Sequence, residues 1–128
     1  MKLIDTVALI GFLNPDDKAH RRASEHLNSV SAQKDVLVPA STLLETDLVL
    51  KTRGYTEAER RTSWGALDSA IPAEKHISNS ASSLRDAVIL QENGMDYFDS
   101  LITSLAKENR STVVTTDKRI AGSVESQW

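Results

Sequence analysis

Short apolar runs alternate with longer stretches of helical period along this chain. Lys2-Leu3-Ile4 is brief and apolar, which predicts a buried strand. Asp5-Thr6 then offers a helix start for the apolar run Val7 to Leu13. Asn14-Pro15-Asp16 breaks that helix and caps a second. The second is predicted from about Asp17 to Ala32, with Ala19, Ala23, His26, Leu27 and Val30 facing inward. Val36-Leu37-Val38-Pro39 reads as the next strand, and Ser41 or Thr42 caps a helix that runs to about Lys51 and ends at Gly54. Thr56-Glu57-Ala58-Glu59 has the form of a capping box and opens a helix to about Ser69. A short extended piece is expected within Ile71 to Ile77. Helices follow from about Ser80 to Glu92, closed by Asn93-Gly94, and from Tyr97 to Glu108. Thr112-Val113-Val114-Thr115, β-branched throughout, is the last clear strand.

Strands separated by helices imply βαβ units. The predicted fold is α/β, three layers with a mainly parallel central sheet, as one domain over residues 1–128. Ligands of such sheets bind outside the carboxyl ends of the strands. Asp5 and Asp117 directly follow strands. Glu45 lies in the first turns of a helix that starts at that edge, and Asp99 opens the helix that descends into the last strand. Element order therefore gathers four acids on one rim. Each has an ordinary alternative as a helix cap, first-turn acid or turn residue. Two contexts argue for more. Asp5 sits between Leu3-Ile4 and Val7-Ala8-Leu9-Ile10, where an unpaired carboxylate is costly. Asp99 adjoins the apolar stripe Phe98, Leu101, Ile102, Leu105.

Converging carboxylates repel one another unless a cation neutralises them, and hard divalent cations prefer oxygen ligands. Magnesium or manganese held there suits in-line displacement at a phosphodiester, by activating water and stabilising the leaving oxygen. Asp47 rivals Glu45, because a helical wheel puts it nearer the Leu43-Leu44-Leu48-Leu50 stripe. Asp96 is a further acid three residues before Asp99, better suited to capping its helix.

Composition narrows the classes. The 128 residues are 40% hydrophobic and 26% charged, which fits an ordinary globule. No apolar run is long enough to span a membrane, and Asp5 comes too early for a signal peptide. Cysteine is absent, which excludes disulfides and thiolate metal sites and suits a cytoplasmic protein. A net charge of −3 argues against a purely electrostatic nucleic-acid binder, though not against an enzyme whose acidic site lowers the total. His20, His26 and His76 lack metal-ligand spacing, and no glycine-rich phosphate loop is present. Lys118-Arg119, beside the rim, are the favoured contacts for a phosphodiester substrate; Lys51, Arg53, Arg60 and Arg61 around Gly54-Tyr55 read as a solvated charge run. A receiver or dehalogenase-like phosphatase would want a second acid close to the first, and Asp5 is followed by Thr6-Val7.

The segments Leu3-Ile4-Asp5-Thr6-Val7-Ala8-Leu9-Ile10, Val38-Pro39 through Leu44-Glu45, Asp96-Tyr97-Phe98-Asp99-Ser100-Leu101-Ile102 and Val113-Val114-Thr115-Thr116-Asp117-Lys118 together resemble the PIN domain, in particular the small prokaryotic VapC-like ribonucleases. The resemblance covers essentially the whole chain. It implies a magnesium- or manganese-dependent endoribonuclease whose acidic quartet is Asp5, Glu45, Asp99 and Asp117. Asp5 and Asp99 would be the central ligands, with Asp117 also on the metal. Glu45 is preferred to Asp47 on this match, and Thr115 and Thr6 would support the site. An antitoxin protein and a homodimer are the implied protein partners, the apolar surface around Val49, Leu50 and Trp64 serving one or the other. Val7 stands where the family often has Asn or Ser, and Ser100 where Ala is usual. The missing polar group at Val7 and the acidic net charge keep open an alternative: a catalytically weak PIN-fold module that binds RNA or protein.

Overall fold

The computed structural model describes all residues 1–128. Five strands, β1 (Lys2–Ile4), β2 (Val36–Pro39), β3 (His76–Ile77), β4 (Thr112–Val114) and β5 (Ser126–Gln127), form one sheet in the order β3-β2-β1-β4-β5. Every pairing is parallel. Leu3 registers with Leu37 on one side and Val113 on the other, so β1 is central.

Seven helices cover the sheet: α1 (Thr6–Leu13), α2 (His20–Ala32), α3 (Ala40–Thr52), α4 (Glu57–Ala70), α5 (Ala81–Glu92), α6 (Tyr97–Asn109) and α7 (Lys118–Ala121). The two-residue period of the strands sorts them into layers. Ile4, Val36, Val38 and Val114 point to one face, where they pack with Ala8 and Leu9 of α1, Leu27 and Val30 of α2 and Leu67 of α4. Leu3 and Val113 point to the other, against Ile102, Leu105 and Ala106 of α6 and Ile120 of α7. Strands buried on both faces need continuous apolar runs, which Leu3-Ile4 and Val113-Val114 supply. Gly11 permits the close α1–α2 approach: a Cβ there would sit 2.9 Å from that of Ala23.

The three-layer parallel architecture agrees with the reading of the sequence, and four local features differ. Helix α2 begins at His20, not Asp17, because side-chain bonds hold residues 14–19 in a turn. Asn14 Oδ1 accepts from the Asp16 amide at 3.1 Å, and Asp17 Oδ1 from the Ala19 amide at 2.8 Å. Helix α3 begins at Ala40 with Pro39 in the cap position, so Ser41 and Thr42 are not caps but buried. Thr42 Oγ1 instead donates to the Ile4 carbonyl at 3.1 Å. The leucine stripe expected to face inward on α3 does not do so as a whole: Leu44 is 67% and Leu48 51% exposed, while Thr42, Thr46 and Leu50 are buried. Finally, α7 and β5 lie beyond the last predicted strand.

Other local signals hold. Thr56 and Glu59 form a reciprocal capping box at α4. Gly54, at φ +88°, closes α3: its amide donates to Lys51 and the Tyr55 amide to Leu50, the pattern of a Schellman motif.

Candidate acidic active site

Asp5 leaves β1 in an extended conformation and stands in the cap position of α1, yet its side chain caps nothing. Thr115, the residue after β4, donates its hydroxyl to Asp5 Oδ2 at 2.6 Å. The same Thr115 oxygen accepts the Asp117 amide at 3.0 Å. One hydroxyl therefore ties the rim of β1 to the rim of β4. The adjacent backbones are joined as well, with the Asp5 amide donating to the Val114 carbonyl at 3.1 Å.

Asp117 does cap its helix. Its Oδ1 accepts the amides of Arg119 and Ile120 at 2.8 and 3.0 Å. That commits one oxygen to structure and leaves the other outside these bonds. Glu45, on the second turn of α3, accepts the Thr6 hydroxyl on Oε1. Asp99, in the first turn of α6, faces the same space without a cationic partner.

These four acids line one groove of about 380 Å³ at the carboxyl edge of the sheet. Thr6, Val7, Val49 and Thr116 complete much of its wall. Two lining residues were not singled out for the site: Asp17, from the turn before α2, and Arg53, at the end of α3. In sequence Asp17 has the look of a helix start and Arg53 of part of a charge run, and only the folded path of the chain brings them here. Lys118 and Arg119 lie outside the groove wall. Lys118 is exposed, and Arg119 reaches toward Gly94 between α5 and α6.

Asp47 is spatially separated from this cluster. Arg60 grips it with Nη2–Oδ2 at 2.6 Å and Nε–Oδ1 at 3.1 Å, and Trp64 Nε1 adds a bond at 2.8 Å. The Arg60 bond, the largest influence, holds the Asp47 carboxyl below its ordinary range. Two other hollows, of about 460 and 770 Å³, adjoin Trp64 between α3 and α4. Their acids include this neutralised Asp47, so the smaller acidic groove is the better chemical candidate.

The groove acids titrate abnormally. Burial is the main force pushing the Asp99 carboxyl up to about 7, and the negative charges of Asp117, Asp5 and Glu45 add to it. Burial also raises Asp5, against the opposing pull of the Thr115 hydroxyl and the Thr6 amide. Glu45 is raised by burial while the Thr6 hydroxyl pulls the other way. Carboxylates that share a site and lack cations favour either protons or a metal ion.

The donor set suits a hard divalent cation: it is all oxygen, carries surplus negative charge and contains no imidazole or thiolate. No three of these groups close on a single point as a ready cage.

A family model for the PIN domain matches residues 2–122. No curated protein matches the chain in sequence. Similar folds occur among solved structures. FitAcB from Neisseria gonorrhoeae is 20% identical, with 98% of this chain and 96% of that one covered and a TM-score of 0.73. VapC20 of Mycobacterium tuberculosis, described as a toxin that cleaves the sarcin–ricin loop, is 14% identical, with 95% and 94% covered and a TM-score of 0.71. A toxin–antitoxin complex from Klebsiella pneumoniae is 21% identical, with 93% and 88% covered and a TM-score of 0.63.

Proposed function

The chain belongs to the PIN-domain family, and from that premise we propose that its acidic groove is the active site of a divalent-metal-dependent endoribonuclease. The observation that carries this reading is the convergence of Asp5, Glu45, Asp99 and Asp117 on one groove wall, with no ion pair to any of them. Asp5, Asp99 and Asp117 are the residues assigned to magnesium or manganese. When bound, such an ion polarises the phosphate and lowers the pKa of a water that attacks it.

The protein's own groups do the positioning. Thr115 fixes the orientation of Asp5 and, through the Asp117 amide, the start of α7. Thr6 donates to one oxygen of Glu45 on the groove wall, and we assign the other oxygen to accept a proton from the attacking water. The reaction joins the water oxygen to phosphorus and breaks the bond from phosphorus to a ribose oxygen.

The description of one structural relative as a toxin–antitoxin complex supports the assignment of an antitoxin partner. An antitoxin would block the groove by inserting a basic side chain among the acids. Of the surface around Val49, Leu50 and Trp64, Leu50 is buried and Val49 lines the groove, while Leu44 and Leu48 of the same helix are exposed. Exposed apolar side chains lie at Leu84, Val88 and Ile89 on α5, and we assign the homodimer to that face.

The test is incubation of the purified protein with single-stranded and structured RNA in manganese and in chelator. Cleavage that requires metal and is abolished in Asp5→Asn and Asp99→Asn supports the assignment. RNA binding with no cleavage under any metal would replace it with a regulatory PIN-fold module.

A further inference from the structure

We infer that Arg53 binds a phosphate of the RNA strand lying in the groove, away from the bond that is cut. This deepens the nuclease reading of the same site and rests on it.

The structure separates the four basic residues around the α3–α4 turn. Arg60 is consumed by Asp47. Arg61 lines a different hollow, and Lys51 lines none of these cavities. Arg53 alone lines the acidic groove, and it is the only cationic residue on that wall. It makes no ion pair with the acids it faces.

Its position follows from helix geometry. Glu45 and Val49 lie four residues apart on α3, and Arg53, the C-cap residue, lies four beyond, so all three fall near one face, and all three line the groove. Eight residues of helix separate Glu45 from Arg53, about 12 Å along the axis. The Arg53 backbone therefore stands beyond the acids along the groove wall, and we assign its side chain to a phosphate next to the one that reacts. The backbone beneath it is fixed: the Arg53 amide donates to Val49 at 2.9 Å, and Gly54 and Tyr55 close the helix behind it.

A cation at a helix C-terminus has a simpler use, complementing the helix dipole. That use is satisfied on any side of the helix and does not require the groove side. A guanidinium can pair with a phosphate through two parallel N–H donors, which is the contact a groove of carboxylates otherwise lacks.

The experiment compares wild type, Arg53→Gln and Arg53→Lys. Anisotropy of a labelled single-stranded RNA is read in magnesium across a series of salt concentrations, and cleavage kinetics are read on the same proteins. For Arg53→Gln we expect binding weakened about tenfold, with a salt slope shallower by about 0.7, the value for one phosphate on a single strand. KM should rise far more than kcat falls, and Arg53→Lys should recover part of the affinity. Equal affinity and equal slope for Arg53→Gln and wild type would overturn the inference while leaving the nuclease reading intact. Weakened binding by Arg53→Gln with no cleavage by wild type would support the inference and overturn that reading. Failure of the wild type to bind RNA would overturn both.

Discussion

Thr115 donates its hydroxyl to Asp5 Oδ2 at 2.6 Å across 110 positions of sequence. Both residues are buried, and the same hydroxyl oxygen accepts the Asp117 amide. The first and last acids of the groove are thus coupled through one side chain. Replacing Thr115 by Val keeps the shape and removes both bonds. We expect Thr115→Val to lose about 2 kcal/mol of stability in urea denaturation without metal, as for a hydrogen bond to a charged group. Cleavage should fall as well, because Asp5 and Asp117 lose their common support. Unchanged stability and turnover would show that the bond holds nothing in place.

The acids make the metal-free protein sensitive to pH in a defined direction. Asp99 is raised from 3.8 to about 7 on folding. Between those values the folded state keeps a proton that the unfolded chain has released, so stability falls as pH rises. The contribution is fully present below the lower value and lost above the upper one. Asp5 and Glu45, also raised, act with the same sign. Asp99→Asn should therefore raise the Tm at about pH 8 in chelator, with a smaller gain at about pH 5, where the wild-type carboxyl is mostly protonated. Equal gains at both pH values would contradict the shift.

Manganese should reverse that trend. Binding to the folded state stabilises it in proportion to the logarithm of metal concentration over Kd. Protons compete for the same oxygens, so the Tm increase should be larger at about pH 8 than at about pH 5. A metal-induced increase that is independent of pH would point to a site other than these carboxylates.

The Thr6–Glu45 bond yields a separable prediction. Thr6→Val leaves Glu45 in the groove without its hydroxyl donor. The opposing influence on Glu45 is then gone and burial dominates, so its pKa should rise further. The pH–rate profile of the variant should shift its acidic limb upward, with a loss in kcat of about tenfold. An unchanged profile would remove Glu45 from the proton-accepting role.

The assigned dimer face is tested by charge. Val88 and Ile89 are both about half exposed on α5. Val88→Asp with Ile89→Asp should leave the fold intact and yield a monomer in sedimentation, since two buried charges at an interface are strongly unfavourable. A persistent dimer would place the contact elsewhere.

Much of the architecture is legible in the order of residues because its determinants are local. Leu3-Ile4 and Val113-Val114 announce buried strands, Thr56 and Glu59 carry their capping box within one turn, and Gly54 marks the end of α3. The acids follow from that order, since a parallel sheet delivers its strand ends to one rim. What escapes is set by distant contacts. β5 is polar and only two residues long, and it exists because Val113 and Thr115 bond to Glu125 and Gln127. Helix α3 turns Thr42 and Thr46 inward and Leu44 and Leu48 outward, against their hydropathy, because Thr42 bonds the Ile4 carbonyl and Thr46 bonds back to Thr42. The choice between Glu45 and Asp47 is hard to make on a helical wheel. Arg60 and Trp64, from the next helix, draw Asp47 away.

The claim beneath all of this is that one groove of carboxylates captures a divalent cation. Calorimetric titration of manganese into wild type, Asp5→Asn and Asp99→Asn at neutral pH measures that capture without reliance on any RNA. Saturable binding by wild type, weakened about tenfold or more in each variant, is the predicted result. No binding, or equal binding by all three proteins, would contradict it.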